Sequence, residues 1–340
     1  TRRCHRPDRP DPATTVRAMT LRLTVDRTAW RSHVDSTTAQ ATATTVVPVV
    51  KGNGYGFGRD ELCRVAADLG TTVAVGTVHE VDASTRGFGS VVILTPAVEI
   101  PDDLPANAVP TVGHPAHVEA LRSAGWRGRV GIKLESSMHR YGVSADDFAE
   151  FARSVTDDGF DVHEFLLHPP LLGESRTAEE TVDEIEAWMT LLDPAIPVSI
   201  SHVTLDAAEA LAERHPDRTF RIRLGTALWH GDKTFLHLQA DVLDVRPLPR
   251  SSSAGYRLMR VNDRCNLVMI GAGSAHGVAP LRDGHSPFHF ARQRLTLLEP
   301  PHMHTSMALV GLHQECPGVG DLVDVQRPLT TTWVDQVVWR

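Results

Sequence analysis

The feature that most constrains the fold of this chain is a regular alternation of short β-branched runs with helical patterns. We count eight such runs, which end at Val50, Val75, Thr95, Val112, Leu134, Leu167, Ser201 and Leu224. Strands that are nearly continuously apolar and alternate with helices are typical of a parallel sheet covered on both faces. Among the helical patterns, Leu62, Val65, Ala66 and Leu69 share one face. Thr177 with Glu180 resembles a capping box at the start of another helix.

Eight strand–helix units predict a (β/α)8 TIM barrel, which we expect to span residues 19–233. The alternative is an open, doubly wound parallel sheet. The barrel is favoured because the count is eight and because no G-x-G-x-x-G pattern follows the first run. After about Leu224 the helical period fades and short strand-like runs alternate with Gly, Pro and Ser clusters. Residues 234–340 are therefore predicted to form a C-terminal β domain.

Composition excludes several classes of protein. The net charge is −8, so no basic field is present to attract nucleic acid or anionic lipid. No apolar run approaches the roughly 20 residues needed to span a membrane. The four cysteines are widely separated, which argues against disulfides or a zinc site and favours a reducing cytoplasm. Residues 1–18 are rich in Arg, Pro and Asp and are expected to be a disordered leader.

Basic groups and imidazoles cluster where the predicted strands end. Lys51 follows the first strand, and Arg223 lies near the end of the eighth. The other polar residues at strand ends are Lys133, Glu135, Arg140, His168, Ser201 and His202. Chemistry in a barrel of this kind lies at the carboxyl ends of the strands. A positive rim on an acidic chain indicates a bound anion, such as a phosphate or a carboxylate.

Four segments carry a resemblance to a known family. Residues 46–58 read VVPVVKGNGYGFG, and residues 131–142 read GIKLESSMHRYG. The shorter segments FLLH and RLGTALW end at His168 and Trp229. In this order the segments resemble those of the alanine racemase family, fold-type III enzymes that use pyridoxal 5′-phosphate. The β domain matches in outline, through AGY ending at Tyr256 and PGVGDLV ending at Val323.

The resemblance implies a role for each matching residue around the cofactor. Lys51 would hold pyridoxal phosphate as a Schiff base. The phosphate would be bound by Tyr55 and by the backbone amides of Gly225 and Thr226. Trp333 aligns loosely with a family tyrosine that touches this phosphate. Arg223 would donate to the pyridine nitrogen, Arg140 would face the phenolic oxygen, and His168 would pack on the ring.

The resemblance also implies a racemase with two bases, one on each face of the substrate α-carbon. Lys51 would serve one face and Tyr256, from the β domain, the other. Arg140 and Met307 would contact the substrate, and Lys133 aligns with a lysine that is carbamylated in many members. The expected assembly is a homodimer with shared active sites, in which the β domain of one subunit covers the barrel mouth of the other.

The matches weaken in the β domain, which leaves alternatives for the reaction. Residues 271–277, Met307 with Ala308, and Trp333 all depart from the family pattern. The leading interpretation is interconversion of L- and D-alanine. Racemisation or decarboxylation of another amino acid, the latter with Cys316 near the substrate, is an alternative. A racemase-like protein with altered catalysis is another.

Overall fold

The computed structural model describes residues 20–340, so the predicted disordered leader at residues 1–18 lies outside the described residues. The described chain divides into two compact units. The barrel unit comprises Val25–His237, Pro328–Trp333 and Trp339–Arg340, and the β unit comprises residues 20–24, Leu238–Arg327 and Val334–Val338.

This division differs from the predicted one in two respects. The chain crosses into the β unit after His237 rather than after residue 233. In addition, each end of the described chain contains a segment that belongs to the unit other than the one expected. The first strand pairs with strands of the β unit, and the segment Pro328–Trp333 returns to the barrel unit. A linear reading of composition misses such exchanges, because strand partners need not be neighbours in sequence.

The first elements are β1 (Leu21–Val25), which pairs in the β unit, and helix α1 (Arg27–Ala39), which begins the barrel unit. Asp26 caps α1 by accepting a hydrogen bond from the amide of Ala29 at 2.9 Å. Eight parallel strands follow: β2 (Thr45–Pro48), β3 (Thr72–Val75), β4 (Ser90–Ile93), β5 (Ala108–Val112), β6 (Arg129–Lys133), β7 (Asp161–Leu167), β8 (Val198–Ile200) and β9 (Phe220–Leu224).

These strands form a barrel, which confirms the predicted fold class. Each pairs with the next from β3 to β9, and β9 pairs in parallel with β2. A parallel bridge between Val49 and Ala74 joins β2 to β3 and completes the ring. An open doubly wound sheet would leave two strand edges free, so that alternative is excluded. The strand ends therefore face a common rim.

The predicted alternation of strand and helix holds for most of the barrel. The remaining helices are α2 (Arg59–Leu69), α3 (Pro115–Ser123), α4 (Phe148–Asp157), α5 (Ala178–Met189), α6 (Leu205–Arg214) and the short α7 (Thr226–Trp229). The capping box at the start of α5 is confirmed, because Thr177 and Glu180 bond each other's backbone. No α-helix, however, separates β3 from β4, which are joined by 3-10 turns, or β4 from β5, which are joined by a loop where Pro96, Pro101 and Pro105 oppose a helix.

The β unit is built on a mostly antiparallel sheet, as predicted. Its strands are β10 (Leu236–Leu248), β11 (Ser252–Ala254), β12 (Met259–Val261), β13 (Cys265–Ile270), β14 (Phe288–Phe290), β15 (Gln293–Arg294), β16 (Thr296–Leu297), β17 (Ser306–Gly311), β18 (Leu322–Val325) and β19 (Gln336–Trp339). The hairpin of β11 and β12 forms a separate two-stranded ribbon. Within residues 20–340, no helix combines the length and apolarity needed to cross a membrane.

Candidate active site

Lys51 lies directly beyond β2, at the place where the barrel closes. The Val49 amide donates to the Leu224 carbonyl at 2.8 Å, and the Val50 amide donates to the Ala74 carbonyl at 2.7 Å. The backbone that precedes Lys51 is therefore bonded to strands on both sides. This arrangement fixes the position of the lysine Cα at the barrel rim.

A glycine-rich turn follows the lysine, and Glu80 fastens it. The Glu80 carboxylate accepts hydrogen bonds from the amides of Gly52, at 3.0 Å, and of Gly76, at 2.6 Å. Gly54 has a φ of +62°, and a Cβ there would lie 2.5 Å from the Arg59 nitrogen, so the turn requires glycine at this point. Sequence reasoning missed Glu80, because a single acidic residue in a loop carries no distinguishing pattern.

The surroundings of Lys51 favour its neutral amine. Desolvation by the barrel rim lowers the pKa of Lys51, and the positive charges of Arg140 and Arg223 lower it further, while Glu80 acts in the opposite direction. Only an unprotonated amine can attack a carbonyl carbon. The lowered pKa therefore increases the fraction of Lys51 that is in this reactive form.

Tyr55, which follows Lys51 in the same glycine-rich turn, packs directly against Gly225. The Tyr55 ring is buried, and its hydroxyl lies against Gly225 in the space that a Cβ would fill. Burial raises the pKa of Tyr55, with Glu80 adding to the effect, so the hydroxyl stays a hydrogen-bond donor. Gly225 also begins α7, whose first amides, including that of Thr226, have no carbonyl partner inside the helix. Such an arrangement suits an anion.

Arg223 is held rigidly at the end of β9. The side chain is 3% exposed, and its guanidinium donates to the carbonyls of Ser199 at 2.5 Å and Leu167 at 2.7 Å. Its Nε is buried and has no hydrogen-bond partner among the described residues. Desolvation lowers the pKa of Arg223 to about 10, against the opposing effects of Glu164 and Tyr141. Arg223 therefore remains protonated at neutral pH and offers one uncommitted N–H donor.

Below this arginine the barrel encloses a charged network that sequence reasoning did not identify. Glu164 is fully buried, and its Oε2 lies 3.2 Å from the Arg221 guanidinium. Arg221 also contacts His163 at 3.1 Å. Glu164 and Arg223 lie on strands whose alternate side chains point into the barrel. The negative charge of Glu164 raises the pKa of Arg223, whereas desolvation lowers it. The charged residues that alternate with other residues along β7 and β9 were the sequence feature from which this network could have been predicted.

Two imidazoles pack together at the ends of β7 and β8. The rings of His168 and His202 are 4.3 Å apart, and the His202 Nδ1 donates to the Pro169 carbonyl at 2.9 Å. Desolvation, followed by the charges of Lys133 and Arg223, lowers the pKa of His168 to about 2. The predicted site residue His168 is therefore a neutral ring. The sequence placed His202 on the rim but did not predict its contact with His168.

Lys133 is the second lysine of the rim. It is buried, with an exposed fraction of 5%, and desolvation together with Arg223 and Arg140 holds its pKa well below the usual value. Arg140 is exposed, and its guanidinium lies 4.6 Å from the centre of the Tyr141 ring. Arg140 and Arg223 therefore lie close enough to both Lys51 and Lys133 to lower their pKa values.

The predicted site residues of the β unit lie in surroundings unlike those of the barrel rim. Tyr256 is 85% exposed in the turn between β11 and β12. Met307 lies in β17, where its carbonyl accepts from the Leu298 amide at 2.9 Å and its side chain packs on an apolar cluster. These contacts give Met307 a packing role, and its contact with a substrate stays a prediction. Burial raises the pKa of the Cys316 thiol, which favours its unreactive form.

Trp333, the remaining candidate, belongs to the barrel unit. Its side chain is 61% exposed and lines a groove with Gly52, Arg59 and His79. Nearby, Asn53 donates to the carbonyls of Leu329 at 2.7 Å and Thr332 at 2.6 Å, which attaches this segment to the Lys51 turn. The contact of Trp333 with a phosphate stays a prediction.

Comparison with known proteins agrees with this geometry. Residues 25–233 match the model of the alanine racemase N-terminal domain. The chain is 23% identical to an alanine racemase of Aliivibrio salmonicida over 282 residues, covering 75% of this chain and 76% of that protein. It is 33% identical to the Vibrio parahaemolyticus enzyme over 136 residues, which is 37% of each chain.

Solved structures share the fold. An alanine racemase from Bartonella henselae with covalently bound pyridoxal phosphate has a TM-score of 0.73 at 16% identity, covering 95% of this chain and 100% of that one. The biosynthetic alanine racemase from Pseudomonas aeruginosa has a TM-score of 0.69 at 19% identity, with coverages of 95% and 99%. From the matched domain and the barrel that carries Lys51, we conclude that this chain belongs to the alanine racemase family.

Proposed function

We propose that this protein is a pyridoxal-phosphate-dependent amino-acid racemase that interconverts L- and D-alanine. One observation carries the proposal. The Tyr55 hydroxyl lies against Gly225, two residues beyond Arg223, whose buried Nε has no partner among residues 20–340. Groups that could bind a phosphate and a donor suited to a ring nitrogen thus lie close together in the barrel unit that carries Lys51, which supports the proposal.

The residues present fit the cofactor. A buried donor without a partner costs about 1–3 kcal/mol, so the Arg223 Nε calls for an acceptor such as a pyridine nitrogen. Gly225 leaves room for the Tyr55 hydroxyl, which a side chain at this position would displace, and that hydroxyl is a donor suited to a phosphate oxygen. The neutral amine favoured at Lys51 is the form that condenses with the cofactor aldehyde and releases water. When bound, pyridoxal phosphate withdraws electrons from the substrate α-carbon.

Arg223 would limit that withdrawal. A guanidinium does not readily give up its proton, so a ring nitrogen in contact with Arg223 would stay unprotonated, which would suppress side reactions such as transamination. The neutral His168 packs beside the same region and adds no further positive charge. The chain thereby favours simple movement of one proton at the α-carbon.

Two bases move this proton. The Lys51 Nζ would take or return it on one face, and the Tyr256 hydroxyl would act on the other. We propose that Tyr256 is supplied by a second copy of the chain, in a homodimer with shared active sites. A cover supplied in this way would also exclude water from the reacting carbon.

Lys133 is proposed to be carbamylated. A neutral amine adds to carbon dioxide, forming an N–C bond and releasing one proton, and the environment of Lys133 favours that neutral form. The product would place one negative charge beside Arg140 and Arg223, where the rim is otherwise positive. It would hold Arg140 toward the cofactor and the substrate.

The test is incubation of the holoprotein with each L-amino acid in D2O. Alanine should lose its α-proton and yield the D-isomer by chiral chromatography, and the Lys51→Ala protein should do neither. Borohydride reduction and peptide mass analysis should place the cofactor on Lys51 rather than on Lys133 or Lys233, the other lysines of the chain. No α-proton loss from any amino acid by a holoprotein labelled at Lys51 would overturn the proposed function.

A further inference from the structure

Tyr256 is held in a defined position although it is exposed. It lies in the turn that joins β11 to β12, and 85% of the residue is accessible. One face of its ring stacks on the imidazole of His302, with ring centres 4.1 Å apart and planes 14° from parallel. An exposed aromatic side chain on a hairpin turn is ordinarily free to rotate, so this stacking distinguishes Tyr256.

The supporting imidazole is itself anchored by Glu299. The His302 Nε2 donates to Glu299 Oε1 at 2.6 Å, and the Glu299 side chain is 3% exposed. The same carboxylate accepts from the amides of Tyr256 at 2.8 Å and Arg257 at 3.2 Å. Glu299 thus binds both the backbone of Tyr256 and the ring on which its side chain rests.

The turn is shaped around this carboxylate. Gly255 has a φ of +81°, a left-handed conformation, and a Cβ there would overlap the Glu299 side chain. The backbone therefore approaches Glu299 more closely than any other residue type would allow. Three elements, namely the Gly255 turn, Glu299 and His302, converge on one tyrosine.

We infer that His302 and Glu299 are positioning residues that hold the Tyr256 phenol ready to act on the substrate α-carbon. This inference rests on the proposed function of Tyr256 as the second base. Fixing an exposed ring costs conformational entropy and buries little apolar area, so stability alone does not explain the arrangement. A proton-transfer group gains from such support, because a misplacement of about 1 Å can cost on the order of 100-fold in rate.

The functional test compares two rates measured on one enantiomer in D2O. Loss of the α-proton with retained configuration needs one base, whereas inversion needs both. In His302→Ala, inversion of the enantiomer deprotonated by Lys51 should fall about tenfold or more, while its exchange with retention persists. Glu299→Gln should act in the same direction. His302→Phe, which can still stack, should invert faster than His302→Ala.

His304→Ala is the matched control, because His304 is an exposed histidine two positions away and does not stack on Tyr256. It should leave both rates unchanged. A merely structural role for His302 predicts that exchange and inversion fall by the same factor. That result in a folded His302→Ala protein would overturn the inference.

A second measurement reports on Tyr256 without activity. The chain has three tyrosines, so protein labelled with 3-fluorotyrosine gives three 19F signals, and Tyr256→Phe identifies one of them. His302→Ala should shift and sharpen that signal, because the ring loses its neighbour. An unmoved signal overturns the inference. A shifted signal together with unimpaired inversion in Tyr256→Phe would instead support the stacking and reject Tyr256 as the second base.

Discussion

The phenolic oxygen of Tyr55 lies directly against the Cα of Gly225, in the space that a Cβ would occupy. Tyr55 follows the first barrel strand, and Gly225 follows the last. These strands pair with each other, so the contact between the two residues lies on the seam where the barrel closes. The proposed phosphate site therefore forms only in a completed barrel.

Gly225→Ala should weaken cofactor binding by at least about tenfold, because the new methyl group would displace the Tyr55 hydroxyl from the proposed phosphate site. Equilibrium titration of the apoprotein with pyridoxal phosphate measures the effect. Gly87→Ala is a suitable control, since a Cβ at Gly87 meets nothing within 4 Å. Equal affinity in wild type and Gly225→Ala would place the phosphate elsewhere.

Protein equilibrated with 13C-bicarbonate should show one carbamate carbon signal, which Lys133→Met abolishes. The depressed pKa of Lys133 supplies the neutral amine that the reaction needs. Lys233→Asn, which alters a lysine with a φ of +68° that asparagine tolerates, should keep the signal. A signal that survives in Lys133→Met contradicts the assignment.

Acid should destabilise the apoprotein partly through His168. Its folded pKa of about 2 lies below the unfolded value of about 6.5, so the unfolded state binds more protons and stability falls as the pH drops below about 6.5. Between about pH 7 and pH 5, the free energy of unfolding of His168→Asn should fall by about 1–2 kcal/mol less than that of wild type. Urea titrations at both pH values measure this difference.

The exposed His313 provides the comparison for that experiment, and His313→Asn should follow wild type at both pH values. If His168→Asn loses as much stability on acidification as wild type, His168 is not held neutral in the folded protein.

Complementation tests the shared active site. Lys51→Ala and Tyr256→Phe proteins should each be nearly inactive as racemases. Refolded together in equal amounts, they should recover about a quarter of wild-type activity, because half of the dimers are mixed and each of these has one intact site of two. Absence of recovery in verified mixed dimers contradicts the shared site.

The arrangement can be cross-checked with the Lys51→Ala/Tyr256→Phe double variant mixed with wild type. If the two residues act in trans, a mixed dimer of this kind contains no intact site. If they act within one chain, it keeps one. Activity per wild-type chain should therefore fall on mixing.

Much of the barrel could be predicted from the sequence because its signal is local. β-branched runs specify strands one at a time, and Lys51, Lys133, His168 and Arg223 are placed on the rim by their distance from a strand end. Fold class follows from the number of such runs, without knowledge of any tertiary contact.

What the sequence did not disclose depends on contacts between distant residues. Glu80 bonds Gly52 and Gly76, and Glu299 supports Tyr256 from 43 residues away. Neither acid stands in a periodic pattern, so neither could be separated from a solvated surface carboxylate. Likewise β1 and the segment Pro328–Trp333 change units through pairing and side-chain bonds, which composition does not record.

The hydrogen bonds from Asn53 to the carbonyls of Leu329 and Thr332 also determine when the Lys51 turn can be completed during synthesis of the chain. The Lys51 turn emerges from the ribosome long before the carbonyls that fasten Asn53, which lie 276 and 279 residues further along the chain. The aromatic ring of Trp339, stacked 6.0 Å from Phe57, follows later still. A nascent chain therefore cannot fasten the Lys51 turn until the segment Pro328–Trp333 has been translated, and a chain truncated before this segment would leave the turn without these bonds.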